Sequence, residues 1–141
     1  ATLEQAIQQN GRTSTPMTLI ALDLDRFKAI NDTLGHDTGD TVLRRVGELL
    51  QRRIRRVDTV FRLGGEEFLA LLYGTDAENG RKVAEELRGA VASHDLLPDR
   101  SVTASIDVAT LEPGEDWTSW MKRSDDNLYR AKADGRNRVV A

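Results

Sequence analysis

The run MTLIALDLD, from Met17 to Asp25, is apolar almost throughout and then changes abruptly to acid. It reads as a buried strand that ends at a polar surface, with Asp23 and Asp25 at its outgoing end. The residues downstream of Asp25 decide which partners that strand can have. A short helical piece through RFKAIND leads to LGHDTGD, a glycine-punctuated loop. Val42, Val46, Leu49 and Leu50 then mark a longer amphipathic helix running to about Arg55. DTVFRL and EFLALLY predict a second and a third strand, and Gly64 and Gly65 supply the turn of a hairpin between them. Val83, Leu87 and Val91 space a helix over Ala77 to Ser93, and SVTASIDVAT alternates as a fourth strand. Trp117, Trp120, Met121, Leu128 and Tyr129 favour a last helix that breaks at Gly135, before a short terminal strand RVV, and Trp117, Trp120 and Met121 are expected to pack it on the sheet. At the start, Leu3 and Ile7 share a face of a short helix ending near Asn10 and Gly11. The order strand, helix, strand, strand, helix, strand predicts an α+β fold, the split βαβ (βαββαβ) pattern of a ferredoxin-like, mainly antiparallel sheet with extra elements at each terminus. In that topology the first and third strands lie side by side and antiparallel in the middle.

Composition narrows the class. A length of 141 residues suits one domain, 1–141, able to bury a core without disulfides. The opening ATLEQAIQQNG resembles the middle of a helix, so the domain is expected to be truncated at its N-terminus from a longer signalling protein. With no cysteine there is no thiol nucleophile or thiolate metal site, which agrees with a cytoplasmic location. A net charge of -3 argues against binding a nucleic acid polymer, and no apolar run is long enough for membrane contact of the spanning kind. The expected setting is the cytoplasm, including the cytoplasmic end of a membrane-anchored sensor.

The predicted strand order carries the chemistry. It brings Asp23 and Asp25, which close the first strand, against Glu66 and Glu67, which open the third. Four carboxylates repel without a counter-charge. Since alternate strand residues point to opposite faces, one Asp with one or both Glu is the economical set. Hard oxygen ligands of this kind suit Mg²⁺ or Mn²⁺ together with substrate phosphates, and two ions per site would serve a phosphoryl or nucleotidyl transfer. Taken alone, GGEE also suits an ordinary polar hairpin tip.

In company it does not stand alone. DLDRFKAINDTLGHDTGD precedes RLGGEEF, and SIDVA and LYRAKADGRNRV come after it. Together these resemble the GGDEF family of diguanylate cyclases, here with a GGEEF hairpin, from about Thr18 to Val140. The resemblance implies a palm-type domain that joins two GTP into cyclic di-GMP and releases two pyrophosphates. It implies that Asp23 and Glu66 hold the metals with the carbonyl of Leu24, and that Glu67 is a second acid that binds metal or takes the proton of the ribose hydroxyl. It places Asn31 and Asp40 at guanine, His36 as a shaper of that pocket, and Lys28, Lys132 and Arg136 around the triphosphate. RRVD, with Arg55 and Asp58, resembles the family's inhibitory product site, although six arginines crowd that helix and its end. Because the product has twofold symmetry, a transient head-to-head homodimer is expected. The competing readings are a silent GTP or cyclic di-GMP receptor module and, more remotely, a mononucleotide cyclase. Asp107 stands where the family strand usually has Gly, and SDDN precedes LYRAK where a small residue is frequent. Arg62 is expected to be structural or to lie near the site, and His94 to be a surface residue.

Overall fold

The computed structural model describes residues 15–93, 96, 97 and 100–141. The helix expected around Leu3 and Ile7, and His94, lie outside them. Five strands and four helices succeed one another in the described residues: β1 (Met17–Leu24), α1 (Phe27–Leu34), α2 (His36–Arg53), β2 (Thr59–Leu63), β3 (Glu67–Tyr73), α3 (Ala77–Ser93), β4 (Ala104–Thr110), α4 (Trp117–Ala133) and β5 (Arg138–Val140). The sheet order is β2-β3-β1-β4-β5. The first four strands pair antiparallel and β5 adds in parallel to β4. The expected α+β topology therefore stands, with β1 in the centre.

β1 is buried along its whole length because both faces of the sheet are covered. Ile20, Leu22 and Leu24 pack with Phe68, Ala70, Ile106 and Val108 against α1, α2 and α3. Met17, Leu19 and Ala21 pack with Leu69, Leu71 and Ala109 against Trp120 and Leu128 of α4. Each fully buried aliphatic side chain contributes about 1.5–3 kcal/mol, so a strand filled this way anchors the sheet. The Trp120 indole N–H donates to the Ala109 carbonyl at 2.7 Å, which seats α4 on β4. Trp117 does not join this core as expected. It is exposed in the first turn, and α4 meets the sheet first at Trp120.

A second difference lies in LGHDTGD. Only Gly35 separates α1 from α2, and helix begins at His36. Gly35 turns the chain at φ +91°, a conformation that disfavours any side chain. Its N–H donates to the Asn31 carbonyl at 2.9 Å, capping α1, and its carbonyl accepts from Gly39 N–H at 3.2 Å in the first turn of α2. Gly39 is buried inside that helix. β4 is also shorter than expected, starting at Ala104 rather than Ser101.

Candidate active site

Two strand ends build the acidic cluster. Asp23 lies directly opposite Glu67 across the β1–β3 pair. Facing residues in an antiparallel pair share a side of the sheet, and here it is the side covered by α4. The Leu24 N–H donates to the Glu66 carbonyl at 3.3 Å, holding the first glutamate of the hairpin against the end of β1. Gly64 and Gly65 take φ +24° and +46°, and a Cβ on either would meet nothing within 4 Å. The loop is bent by backbone freedom and left open on its outer side. Arg62 pins it from within, donating from Nε and Nη2 to the Gly65 carbonyl at 3.3 and 3.1 Å.

Charge is concentrated there. Glu66 and Glu67 are half-buried, and burial together with the nearby Asp23 carboxylate holds both above the usual carboxylate range. Asp125 of α4 adds to the repulsion on Glu67. Lys132, near the end of α4, opposes it, and its Nζ donates to Asp23 Oδ2 at 2.6 Å.

Asp25 is separate. Thr103 Oγ1 and Ser105 Oγ each donate to its carboxylate at 2.6 Å, and the Asn137 N–H donates at 2.9 Å. Pleat alternation is not what removes it from the cluster, since residues two apart share a face. β1 ends at Leu24, and Asp25 turns toward β4, where its own N–H donates to the Thr103 carbonyl at 2.9 Å. One Asp with two Glu is the set that remains.

Among the described residues no three carboxylate, imidazole or thiol side chains form a ready metal cage. The donor chemistry still fits a hard divalent ion. Mg²⁺ usually takes one or two carboxylates and completes its shell with water and substrate phosphate. Asp23 and Glu66 meet that need, with Glu67 alongside.

The remaining candidates spread around this centre. Lys28 and Asn31 lie on α1, and His36 and Asp40 on the first turns of α2, with Lys28, His36 and Asp40 exposed. Asn31 packs against Gly39, the neighbour of Asp40, and its Oδ1 is buried with no hydrogen-bond partner. Arg136 comes after α4 in a left-handed conformation at φ +64°, its N–H on the Ala131 carbonyl at 2.9 Å. Neither Lys28 nor Arg136 forms an ion pair among the described residues.

Arg55 and Asp58 stand apart from the acidic cluster, at the Tyr73 end of β3, about 20 Å along the strand from Glu67. Asp58 Oδ1 accepts from Arg55 Nη2 at 2.9 Å and the Tyr73 N–H at 3.2 Å, and Oδ2 accepts from Arg55 Nε and N–H at 3.0 and 3.1 Å. Arg55 also reaches Thr75 Oγ1 at 3.0 Å and the Tyr73 carbonyl. Asp58 is thus fully committed within the chain, while the Arg55 side chain is 56% exposed.

The family described as "Diguanylate cyclase, GGDEF domain" matches residues 1–138. The chain belongs to the GGDEF domain family. Among curated relatives it is 40% identical to the diguanylate cyclase DgcP of Pseudomonas aeruginosa over 140 residues, 97% of this chain and 21% of that protein. It is 46% identical to the diguanylate cyclase DgcM of Escherichia coli over 123 residues, 87% of this chain and 30% of that protein. It therefore spans less than a third of these relatives. Among solved structures, the GGDEF domain of DgcB from Caulobacter crescentus in complex with c-di-GMP superposes with a TM-score of 0.93 at 36% identity, covering 99% of this chain and 85% of that one. The active GGEEF domain of a diguanylate cyclase from Vibrio cholerae gives 0.92 at 36% identity, covering 97% and 89%.

Within this GGDEF domain the two departures from the family pattern, Asp107 and SDDN, meet. Asp107 of β4 is fully buried and accepts hydrogen bonds from Ser124 Oγ and, at 2.8 Å, from Asn127 Nδ2. Ser124 and Asn127 are the first and last residues of SDDN. Burial lifts the Asp107 carboxyl to about 7 despite those two donors and the Arg123 charge. Sequence reasoning missed this pairing, and it missed the Lys132–Asp23 contact and the Asn31–Gly39 contact. Only the first left a signal, two polar residues where small ones are usual.

Proposed function

We propose that this chain is the catalytic unit of a diguanylate cyclase, joining two GTP molecules into cyclic di-GMP and releasing two pyrophosphates. The observation that carries the reading is the register that sets Asp23 opposite Glu67 with Glu66 tied to Leu24. It is supported by the names of the relatives and by a superposable domain described as active.

Asp23, Glu66 and the Leu24 carbonyl would hold Mg²⁺ or Mn²⁺, expected as two ions per site. When bound, the metal supplies charge neutralisation at the phosphates and acidifies the attacking hydroxyl. In each half of the reaction the 3′-oxygen of one GTP attacks the α-phosphorus of the other. A P–O bond forms, the bond from the α-phosphorus to its bridging oxygen breaks, and pyrophosphate leaves with that electron pair. Glu67 is the proposed acceptor of the hydroxyl proton. Its half-buried, acid-crowded setting raises its affinity for one. Asn31 and Asp40 read guanine beside His36, and Lys28, Lys132 and Arg136 orient the triphosphate. Both phosphodiester bonds form when two domains meet head to head, each bringing one GTP, in a transient homodimer.

Product feedback is assigned to Arg55 and Asp58. Asp58 holds the guanidinium in place through Nε and Nη2, and the exposed Nη1 end of Arg55 offers charge-assisted bonds to a phosphate or guanine edge. The complex of the similar DgcB domain with c-di-GMP supports a product-binding role in this class. Among the described residues no helix is long and apolar enough to cross a membrane. A cytoplasmic place of work remains part of the proposal.

The test is to incubate the domain with GTP and Mg²⁺ over a wide protein concentration range and separate the nucleotides. Cyclic di-GMP that grows faster than linearly with protein is the expected result. Binding of GTP or cyclic di-GMP with no product at any concentration would favour a receptor module instead.

A further inference from the structure

Gly39 is a buried glycine inside α2, where alanine suits a helix better, so its presence calls for a packing reason. The reason is visible across the Gly35 joint. A Cβ at Gly39 would overlap the Asn31 Oδ1 atom, and would stand 3.0 Å from Asn31 Cγ and 3.1 Å from Phe27 Cζ. Phe27 is locked in the core, and both helices are tied to each other through Gly35 by the Asn31 carbonyl and the Gly39 N–H. The Asn31 amide is the one neighbour able to yield.

A second observation concerns that amide. Oδ1 is buried without a donor, so no hydrogen bond to oxygen holds the group against Gly39. The bare glycine backbone leaves the space in which it lies. Native chains rarely leave a buried acceptor unpaired, so this one calls for an explanation, of which a role in binding is one.

We propose that Gly39 is a specificity-determining residue: the space left by its missing side chain is where the Asn31 amide rests, so base selection depends on a position that never touches the base. The inference rests on the reading of Asn31 as a guanine contact and adds the residue that places it. Gly39 is a positioning residue in this sense, acting only through Asn31.

The experiment compares Gly39→Ala, Asn31→Ala and the double variant with the parent domain. KM and kcat are measured for GTP and for inosine triphosphate, which lacks the 2-amino group, and thermal midpoints are recorded for each protein. Gly39→Ala is expected to raise KM for GTP about tenfold, the scale of one lost hydrogen bond, with a smaller change in kcat. The preference for GTP over inosine triphosphate should shrink, and the midpoint should hold or rise. The double variant should be no worse than Asn31→Ala, because both changes remove the same placed amide. If Asn31→Ala impairs GTP use and Gly39→Ala does not, the proposal fails while the guanine reading stands. If Asn31→Ala itself changes neither KM nor preference, the guanine reading fails and takes the proposal with it. Should Gly39→Ala fail to fold, the overlap is discharged into the fold rather than the amide, and the proposal is overturned.

Discussion

Two groups of carboxylates in this domain are treated in opposite ways. Asp25 and Asp107 sink into the protein and receive donors from the chain itself: two hydroxyls and a backbone N–H for Asp25, a hydroxyl and an amide for Asp107. Asp23, Glu66 and Glu67 gather a short distance away with one lysine among them, and the two glutamates are pushed toward holding protons. Where an acid serves the fold, its bonding is completed internally. Where acids are left crowded and short of donors, the deficit is what an incoming cation with phosphates would fill. Position in the sheet makes the difference, because Asp25 turns toward the hydroxyls of β4 and its approach while Asp23 faces the hairpin.

That contrast can be broken at either side. Glu66→Gln keeps the shape of the hairpin and removes one negative charge. Cyclic di-GMP formation, measured chromatographically at saturating GTP, should fall at least about 100-fold, since even outer partners of a metal cost 10- to 100-fold when lost. Unfolding by urea should be little changed, and intact synthesis would remove Glu66 from the site. Asp25→Ala should do the reverse. Orphaning two hydroxyls and an N–H costs on the order of 3 kcal/mol, seen as a thermal midpoint lowered by roughly 10 °C. A midpoint within a degree or two of the parent would deny Asp25 its structural role.

Asp107 sharpens the comparison through pH. Its carboxyl titrates near 7 in the folded chain against 3.8 for the free group. Between those values the folded state binds the extra proton, so stability should fall as pH rises from about 4 to about 7 and then level. Asp107→Asn should flatten that slope and gain on the order of 2 kcal/mol at pH 8. Urea titrations at pH 5 and pH 8 measure it, and parallel pH profiles for both proteins would count against the buried acid. The smallest effect belongs to Arg62→Ala. Loosening an exposed hairpin tip should cost about 0.5–1 kcal/mol, with KM for GTP rising more than kcat falls.

Much of the architecture is legible in the sequence. The helix at Ala77–Ser93 and the strand order come from apolar spacing and one topology rule, and that order alone places Asp23 opposite the hairpin glutamates. LGHDTGD is not legible as helix. The residue that buries its first turn is Gly39, which carries no side chain and so no apolar signal. The fate of Asp25 is also hidden. Its donors lie 78, 80 and 112 residues away in the chain, beyond the reach of any local pattern. The resemblance sets Lys132 near the triphosphate, but its contact with Asp23, 109 residues back in the chain, appears only in the fold. Ser124 and Asn127 show the same limit, since a polar pair on a helix predicts solvent until a buried acid is found beneath it.

The central place of β1 also bears on how the chain is made. It leaves the ribosome before both of the strands that cover its edges, β3 and β4. Asp25 waits for Ser105, 80 residues downstream. At roughly 5–20 residues per second of synthesis, that is on the order of 4–16 seconds during which an apolar strand has no permanent neighbour on one side. The acids that close it, unshielded over that interval, would act as gatekeepers against premature pairing with other nascent chains.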